Sequence, residues 1–174
     1  NIIFPAALVK YKGKQSLVNL YPGASGRISQ EEINSAEALM EYTFAKTLDR
    51  LVSTDKPHIA YSVGNGEPTD ARTYGIQEAL SKDYKWGIFD LTKHSRISTD
   101  KNDPNRIDVF ISVKPSKQFT EEEKLKLDQF VMRGGKLLLF IDNLIAEQDS
   151  LRYAKGETIA YDRNLNLTDQ LFKY

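Results

Sequence analysis

The sequence predicts an α/β fold with a mainly parallel, doubly wound sheet, preceded by a β-hairpin and a long helix. The first observation is a set of four short, nearly continuous apolar runs, typical of strands covered on both faces: HIAYSV (58–63), KWGIFDL (85–91), IDVFISV (107–113) and KLLLFID (136–142). The second is that helical patterns lie between the first and second runs and between the third and fourth runs. Right-handed crossover connections then favour a flavodoxin-like or Rossmann-like topology, with helices on both faces of the sheet.

Residues 1–28 are predicted to form a β-hairpin ahead of the core. Two apolar runs flank the segment KGKQ, whose glycine suits a tight turn. Pro5 lacks a backbone donor, which places the first strand at a sheet edge. We interpret the chain as one α/β domain, in which this hairpin is an extension and residues 29–174 are the core.

A long helix is predicted to follow, because Ser29 and Glu32 have the spacing of a capping box. Apolar side chains then recur at the helical spacing, which predicts that one face of the helix packs on a core. These side chains are Ile33, Ala36, Met40, Phe44, Leu48 and Leu51.

Two further helices are predicted between the core strands. One covers residues 70–82. The other follows a second capping box, formed by Thr120 and Glu123, and stops before a glycine pair that begins at Gly134. The polar segment 92–106 is predicted to be a loop that replaces or shortens a crossover helix.

The composition excludes several classes of protein. Apolar residues make up 40% of the 174 residues, and 24 basic side chains balance 24 acidic ones, which argues against a nucleic-acid-binding protein. The chain has no cysteine, so disulfides, thiolate metal sites and a cysteine nucleophile are excluded. No apolar run approaches the roughly 18 residues that a bilayer-spanning helix needs.

The predicted strand order is 85–91, 58–63, 107–113 and 136–142, so the order reverses between the second and third of these strands. Ligands of doubly wound folds bind at the carboxyl ends of strands beside such a reversal. The stretch YSVGNGEPTD (61–70) lies there, and we expect any functional contact to include it. The candidate ligand-binding or partner-binding residues all lie at or after the ends of core strands: Gly64, Asn65, Gly66, Glu67, Asp90 and Asp142.

Residues 64–67 are predicted to form a tight turn, because glycine permits a positive φ angle or a close backbone approach. Two roles are open for Glu67. Pro68 favours a helix start nearby, and the carboxylate of Glu67 would then stabilise the positive end of that helix. Alternatively, Glu67 faces the crevice and contacts a partner or a ligand cation.

The same turn does not complete a nucleotide-binding motif. Thr69 stands where the dinucleotide fingerprint has its third small residue, and Glu67 would place a negative charge beside a pyrophosphate. The chain has neither a phosphate-loop motif nor a Gly-x-Ser-x-Gly nucleophile elbow. The two histidines, His58 and His94, have no partner that the sequence identifies. We therefore expect no catalytic residue, no metal ion and no cofactor.

Five segments, in this order, carry a family resemblance: FPAALVKYKGK, EINSAEALMEYTFAKTLDRL, HIAYSVGNGE, FVMRGGKLLLFID and LNLTDQLFKY. Together they resemble the gliding-motility-associated ABC transporter auxiliary family, GldG, and more broadly the ABC-type uncharacterised transport auxiliary family. The most specific parts are Gly-Asn-Gly-Glu at 64–67 and Gly-Gly-Lys followed by LLLFID. Asn65 stands where the family often has histidine, so any chemistry of that histidine is lost here.

The resemblance implies a non-catalytic, extracytoplasmic binding or interaction domain that works with an ABC permease and an ATPase in gliding or export. Because the chain begins without Met, we expect it to be part of a longer protein, anchored in the bacterial inner membrane by helices outside this sequence. Homo-oligomerisation stays open, and no nucleic-acid partner is expected. The alternative is a hydrolase-like enzyme that uses acidic residues at the carboxyl ends of the strands.

Overall fold

The computed structural model describes residues 5–21, 29–145 and 160–174. The chain divides into two compact units, Asn1–Asp55 and Lys56–Tyr174. The long helix groups with the hairpin in the first unit, whereas the sequence pattern groups it with the core. The single-domain organisation stays a prediction.

The first unit begins with the predicted hairpin, which is confirmed. Strands β1 (Ala6–Tyr11) and β2 (Lys14–Asn19) pair in antiparallel register. The two turn residues between them, Lys12 and Gly13, have φ angles of 46° and 79°. Positive φ at both central residues matches the turn twist that two-residue hairpins prefer.

Helix α1 (Gln30–Val52) starts at the predicted capping box. The Ser29 hydroxyl accepts a hydrogen bond from the Glu32 amide at 3.2 Å, and the Glu32 carboxylate accepts one from the Ser29 amide at 3.0 Å. The hydroxyl of Tyr21 also donates to this carboxylate, at 2.8 Å. The Tyr21 bond therefore ties the residue that follows the hairpin to the start of the helix.

The apolar stripe of α1 is only partly buried, so the expected core packing is wrong for three of its six members. Ile33, Met40 and Leu48 are 43%, 41% and 49% exposed, whereas Ala36 and Leu51 are buried. Strands of six residues extend about 20 Å, but a helix of 23 residues is about 35 Å long. The hairpin is therefore too short to cover the whole helix face.

The second unit contains a four-stranded parallel sheet. Its strands are β3 (His58–Val63), β4 (Lys85–Asp90), β5 (Val109–Val113) and β6 (Lys136–Phe140). Their order is β4-β3-β5-β6, and all three pairings are parallel. The predicted strand order is confirmed, and the reversal lies between β3 and β5.

Helices connect these strands where the sequence predicts them. Helix α2 (Ala71–Asp83) lies between β3 and β4, and α3 (Glu121–Met132) lies between β5 and β6. The capping box of α3 is present, and the connection over 92–106 contains neither helix nor strand. The doubly wound, flavodoxin-like or Rossmann-like arrangement of helices on both faces stays a prediction.

A large buried apolar cluster of the second unit lies on one face of the sheet. Phe110 of β5 is fully buried, and it packs with Leu127 and Phe130 of α3 and with Leu165 near the carboxyl terminus. After α3, a Cβ at Gly135 would collide with the ring of Phe130. The glycine pair therefore ends the helix and also lets the next strand pass close beneath it.

Short elements complete the second unit. Strands β7 (Leu144–Ile145) and β8 (Tyr161–Asp162) pair in antiparallel register, and helix α4 (Thr168–Leu171) follows. Within the described residues, no helix has the length and apolar character needed to cross a bilayer.

Candidate functional site

The turn after β3 requires glycine at two positions. Gly64 and Gly66 have φ angles of 120° and 80°, which side chains rarely adopt. A Cβ at Gly64 would lie 2.8 Å from Oδ1 of Asp90, and a Cβ at Gly66 would collide with Oγ of Ser116. The turn is therefore tight and closely packed, as the sequence predicts.

Glu67 is buried and forms part of this turn's internal bonding. Its Oε2 accepts a hydrogen bond from the Asn65 amide at 2.9 Å, and its Oε1 accepts one from the Ser112 hydroxyl at 2.9 Å. Only 7% of the residue is exposed. The carboxylate thus joins the turn after β3 to strand β5, across the point where the strand order reverses.

The predicted helix-dipole role of Glu67 is wrong. Helix α2 begins at Ala71 with Asp70 as its N-cap, and its first turn contains no acidic residue. Pro68 also lies outside the helix, where its carbonyl accepts a hydrogen bond from the Tyr61 hydroxyl at 2.6 Å. Residues 68–70 separate Glu67 from the first turn of α2. Its carboxylate is bonded to Ser112 of β5 instead.

Asn65 connects the turn to the start of α3. Its carbonyl accepts hydrogen bonds from the amides of Ser116 and Lys117, at 2.8 and 2.9 Å. Its Nδ2 donates to Oε2 of Glu123 at 3.1 Å, the same oxygen that accepts the Thr120 amide at 2.8 Å. The capping box of α3 is thereby bonded to the turn after β3.

Two buried oxygens beside this network have no hydrogen-bond partner among the described residues. They are Oδ1 of Asn65 and Oγ of Ser62, in residues that are 2% and 0% exposed. Buried polar atoms are normally paired, and an unpaired one costs about 1–3 kcal/mol. The interior beside the turn is therefore polar, and these two oxygens are a cost to the folded state.

Asp90 ends β4 and lies next to Gly64. Its Oδ1 accepts hydrogen bonds from the hydroxyl and the amide of Thr92, at 2.6 and 3.0 Å, and its Oδ2 lies 2.9 Å from Nζ of Lys93. The Thr92 hydroxyl, followed by the Lys93 ammonium, lowers the pKa of Asp90 to about 2. The carboxylate is therefore ionised at neutral pH and engaged within its own loop.

His94 belongs to the same loop. Its Nδ1 lies 2.8 Å from the carbonyl oxygen of Asp90, and its ring stacks on Phe89 with 4.3 Å between the centroids. The sequence named no partner for this histidine, because both contacts depend on how the loop folds back over β4.

Asp142 pairs with a residue outside the predicted site. It follows β6 and forms an ion pair with Lys114 beyond β5, at 3.6 Å between Nζ and Oδ2. The structure thus brings Asp90 to Gly64, and Glu67 to Asn65, but pairs Asp142 elsewhere. Among the described residues, no cluster of three or more His, Cys, Asp or Glu side chains is placed to hold a metal ion.

Sequence reasoning missed Ser112, Ser116 and the second role of Glu123. Ser112 is fully buried in β5, and every other residue of that strand is apolar. A polar side chain in such a strand indicates an internal hydrogen-bond partner. The sequence alone could therefore have identified Ser112 as a hydrogen-bonding residue. Glu123 was recognisable as a helix cap, but its bond to Asn65 joins residues that lie far apart in the chain.

A separate groove of about 310 Å³ lies between α3 and α4. Lys124 lines it, with its ammonium 2.8 Å from Oδ2 of Asp169 and 2.9 Å from Oε1 of Glu121. These bonds, with Asp169 first, raise the pKa of Lys124. Gln170 donates to the Lys124 carbonyl at 2.9 Å. These contacts hold the short α4 against α3.

Comparison with known proteins assigns the second unit to a family. A family profile described as ABC-type uncharacterized transport system matches residues 56–174, which are the residues of the second compact unit. No curated protein and no solved structure matches the chain. Because the profile covers more than half of the sequence, the chain belongs to the ABC-type uncharacterized transport system family.

Proposed function

We propose that the chain is a non-catalytic interaction domain of an ABC-type transport system, associated with export or gliding motility. It works on the periplasmic side of the bacterial inner membrane, tethered by transmembrane helices outside this sequence. Its partners are the permease and ATPase subunits. The observation that carries this proposal is the family match over residues 56–174.

The bonding of the strand-end carboxylates supports an interaction role over catalysis. A general base must reach a proton of its substrate at hydrogen-bonding distance. Both oxygens of Glu67 already accept hydrogen bonds from Asn65 and Ser112. Both oxygens of Asp90 are engaged by Thr92 and Lys93. These carboxylates hold loops in place, which suits a domain that presents a fixed surface.

The exposed side chains of α1 support a partner-binding role for the first unit. Leu39 and Tyr42 are 51% and 62% exposed on this helix. Tyrosine is one of the side chains that contribute most to binding when a partner buries them, and leucine gains from leaving water. We place the contact with the permease subunit on this part of α1.

The test is purification of the full-length tagged protein from its native membranes, with identification of the co-purified subunits. A variant with Leu39→Ser and Tyr42→Ser is expected to lose most of the permease and the ATPase. The matched control is Leu125→Ser with Tyr74→Ser, since those side chains are 54% and 64% exposed in the second unit. Equal recovery with both variants would remove α1 from the interface, and absence of transporter subunits from the wild type would refute the proposal.

The association with gliding or export is tested in the native bacterium. Deletion of the gene is expected to abolish one of these activities, and the wild-type gene is expected to restore it. For catalysis, the isolated chain is expected to hydrolyse no ester, phosphate or peptide. Reproducible turnover that Glu67→Gln abolishes would overturn the non-catalytic assignment, provided that the variant melts like the wild type.

A further inference from the structure

The outer face of the hairpin carries an exposed apolar pair. Leu8 of β1 lies directly opposite Leu17 of β2, and the two side chains are 54% and 65% exposed. Val18, on the other face, is fully buried. Side chains alternate between the two faces of a strand, so one face packs inward and the other presents two leucines to solvent.

The same hairpin concentrates positive charge. Lys10, Lys12 and Lys14 lie at or beside its turn, and all three are exposed. The described hairpin, residues 5–21, contains no acidic side chain. Because the whole chain has a net charge of zero, the rest of the sequence is net negative. The positive charge is therefore a local property of the hairpin.

The lysines lie on the outer face and at the tip of the hairpin, because Lys14 pairs with Tyr11 beside the turn, on the face of Val18. Lys10 lies two residues from Leu8 on the same face of β1. Lys12 occupies the turn, with its ammonium 5.3 Å from the ring centroid of Tyr11, which is itself 40% exposed. The surface thus has an apolar part at the leucine pair and a cationic, aromatic part at the tip.

We infer that the outer face and the tip of this hairpin, formed by Leu8, Leu17 and the three lysines, dock together on an anionic lipid surface. The lysines lie against the phosphates, the ring of Tyr11 lies at headgroup level, and the leucine pair enters the apolar boundary. Lysine attracts anionic headgroups, tyrosine favours the interface, and exposed leucines gain from leaving water.

The charge and shape of the surface favour lipid over an acidic protein. The three basic residues are all lysines, which act as flexible point charges, whereas arginine is the side chain preferred for paired recognition of carboxylates. The leucine pair lies on a ribbon face, and such a face can enter a fluid boundary without a matching pocket. The inference stands on the hairpin alone and does not depend on the transporter assignment.

The test is co-sedimentation of the complete 174-residue chain with vesicles. One set contains phosphatidylcholine alone, and the other contains equal parts of phosphatidylcholine and phosphatidylglycerol. We expect binding to the anionic vesicles only, and we expect salt to weaken it, because salt screens exposed charges. Leu17→Trp is expected to shift the tryptophan emission to the blue when anionic vesicles are added, beyond any change that Trp86 alone shows in the wild type.

Replacement of Lys10, Lys12 and Lys14 by Gln is expected to weaken binding about fivefold for each lysine, or about a hundredfold together. The matched control replaces three exposed lysines of the second unit, Lys82, Lys101 and Lys136, by Gln. This control is expected to bind within about twofold of the wild type, because those lysines lie outside the proposed lipid-facing surface. Leu8→Ser with Leu17→Ser is expected to weaken binding to the anionic vesicles without lowering the melting temperature.

Three results would overturn the inference. The first is no binding to anionic vesicles by a chain that melts cooperatively. The second is an equal loss in the hairpin variant and in the control, which would indicate attraction by net charge alone. The third is binding to polyglutamate but not to vesicles, which would assign the surface to an acidic protein.

Discussion

Helices α1 and α3 begin with the same local signal but are buried very differently. Both start at a capping box that the sequence identifies. Helix α3 buries five of its 12 residues, whereas α1 buries three of its 23. The cap depends on residues within one turn, so it predicts where a helix starts. Burial depends on what the rest of the chain places over the helix.

The neighbours of the two helices explain the difference. Helix α3 packs on the sheet core, and its two buried lysines have carboxylate partners. The ammonium of Lys124 lies 2.8 Å from Asp169, and that of Lys126 lies 2.8 Å from Glu122. In the first unit, a two-stranded ribbon accompanies a much longer helix. A helix with an apolar stripe is therefore well buried in the second unit but only partly buried in the first.

The largest expected effect comes from removing a core ring of α3. Phe130→Ala is expected to destabilise the second unit by about 3–5 kcal/mol, because the ring is fully buried and Gly135 packs against it. In α1, Leu48→Ala is expected to change stability by no more than about 0.5 kcal/mol, because Leu48 lies at the surface with 49% of the residue exposed. Urea denaturation followed by circular dichroism measures both.

A second readout makes this comparison sharper. The single tryptophan, Trp86, lies in β4 and reports on the second unit. Its unfolding transition is expected to move in Phe130→Ala and to stay in place in Leu48→Ala. Equal losses in the two variants would show that α1 is buried as deeply as α3.

Two glycines with positive φ offer the next comparison. Gly66 and Gly13 have φ angles of 80° and 79°, but a Cβ would meet Ser116 at the first and nothing within 4 Å at the second. Gly13→Ala is expected to cost about 1 kcal/mol from backbone strain, and Gly66→Ala about 2–3 kcal/mol from strain and collision. Thermal melting measures both variants.

Relief of the collision tests its cause. Ser116→Ala in the Gly66→Ala background removes the oxygen that the new Cβ would meet. Part of the lost stability is expected to return, although the hydrogen bond from Ser116 to the Gly66 carbonyl is also lost. No recovery, once the cost of Ser116→Ala alone is subtracted, would mean that strain alone accounts for the effect of Gly66→Ala.

The bond between Asn65 and Glu123 is expected to contribute less. Asn65→Ala removes the Nδ2 donor to Glu123, so we expect a loss of about 1–2 kcal/mol. Asn102→Ala, at an exposed loop position, is expected to have almost no effect. A double-mutant cycle with Glu123→Ala measures the coupling, and additive losses would show that the two side chains do not interact.

Much of the second unit could be predicted because its signals are local or repeat along the chain. Apolar runs identified the strands, capping boxes identified α1 and α3, and the alternation of strands and helices led to the order β4-β3-β5-β6. The glycines at 64 and 66 predicted a tight turn. Each of these inferences needed only neighbouring residues or general rules of connection.

The details of the site could not be predicted in the same way. The carboxylate of Glu67 points to Ser112, whose position depends on the pairing of β3 with β5. Asn65 contacts α3 only because the loop after β5 folds back over the turn. The exposed stripe of α1 was misjudged because helical periodicity does not reveal the size of the partner. The two wrong predictions, the helix-dipole role of Glu67 and the core packing of the α1 stripe, therefore both concern how distant segments of the chain meet.

The smallest expected effect concerns the acid stability that Asp90 contributes. Its pKa in the folded protein is about 2, below the unfolded value of about 3.9. A lowered pKa stabilises the folded state fully above the unfolded value, and this stability is lost as the pH falls through about 4 to 2. Asp90→Asn is therefore expected to be less stable than the wild type at neutral pH, and the difference is expected to shrink across that window.

The causes of the lowered pKa of Asp90 can be separated by two substitutions. Thr92→Val removes the hydroxyl donor at 2.6 Å, and Lys93→Gln removes the ammonium at 2.9 Å. Because the Thr92 hydroxyl is the larger cause, Thr92→Val is expected to raise the pKa of Asp90 more than Lys93→Gln does. Titration of the Asp90 carboxyl carbon by NMR measures both changes. The reverse order would show that the ion pair, rather than the loop hydrogen bond, holds this carboxylate beside Gly64.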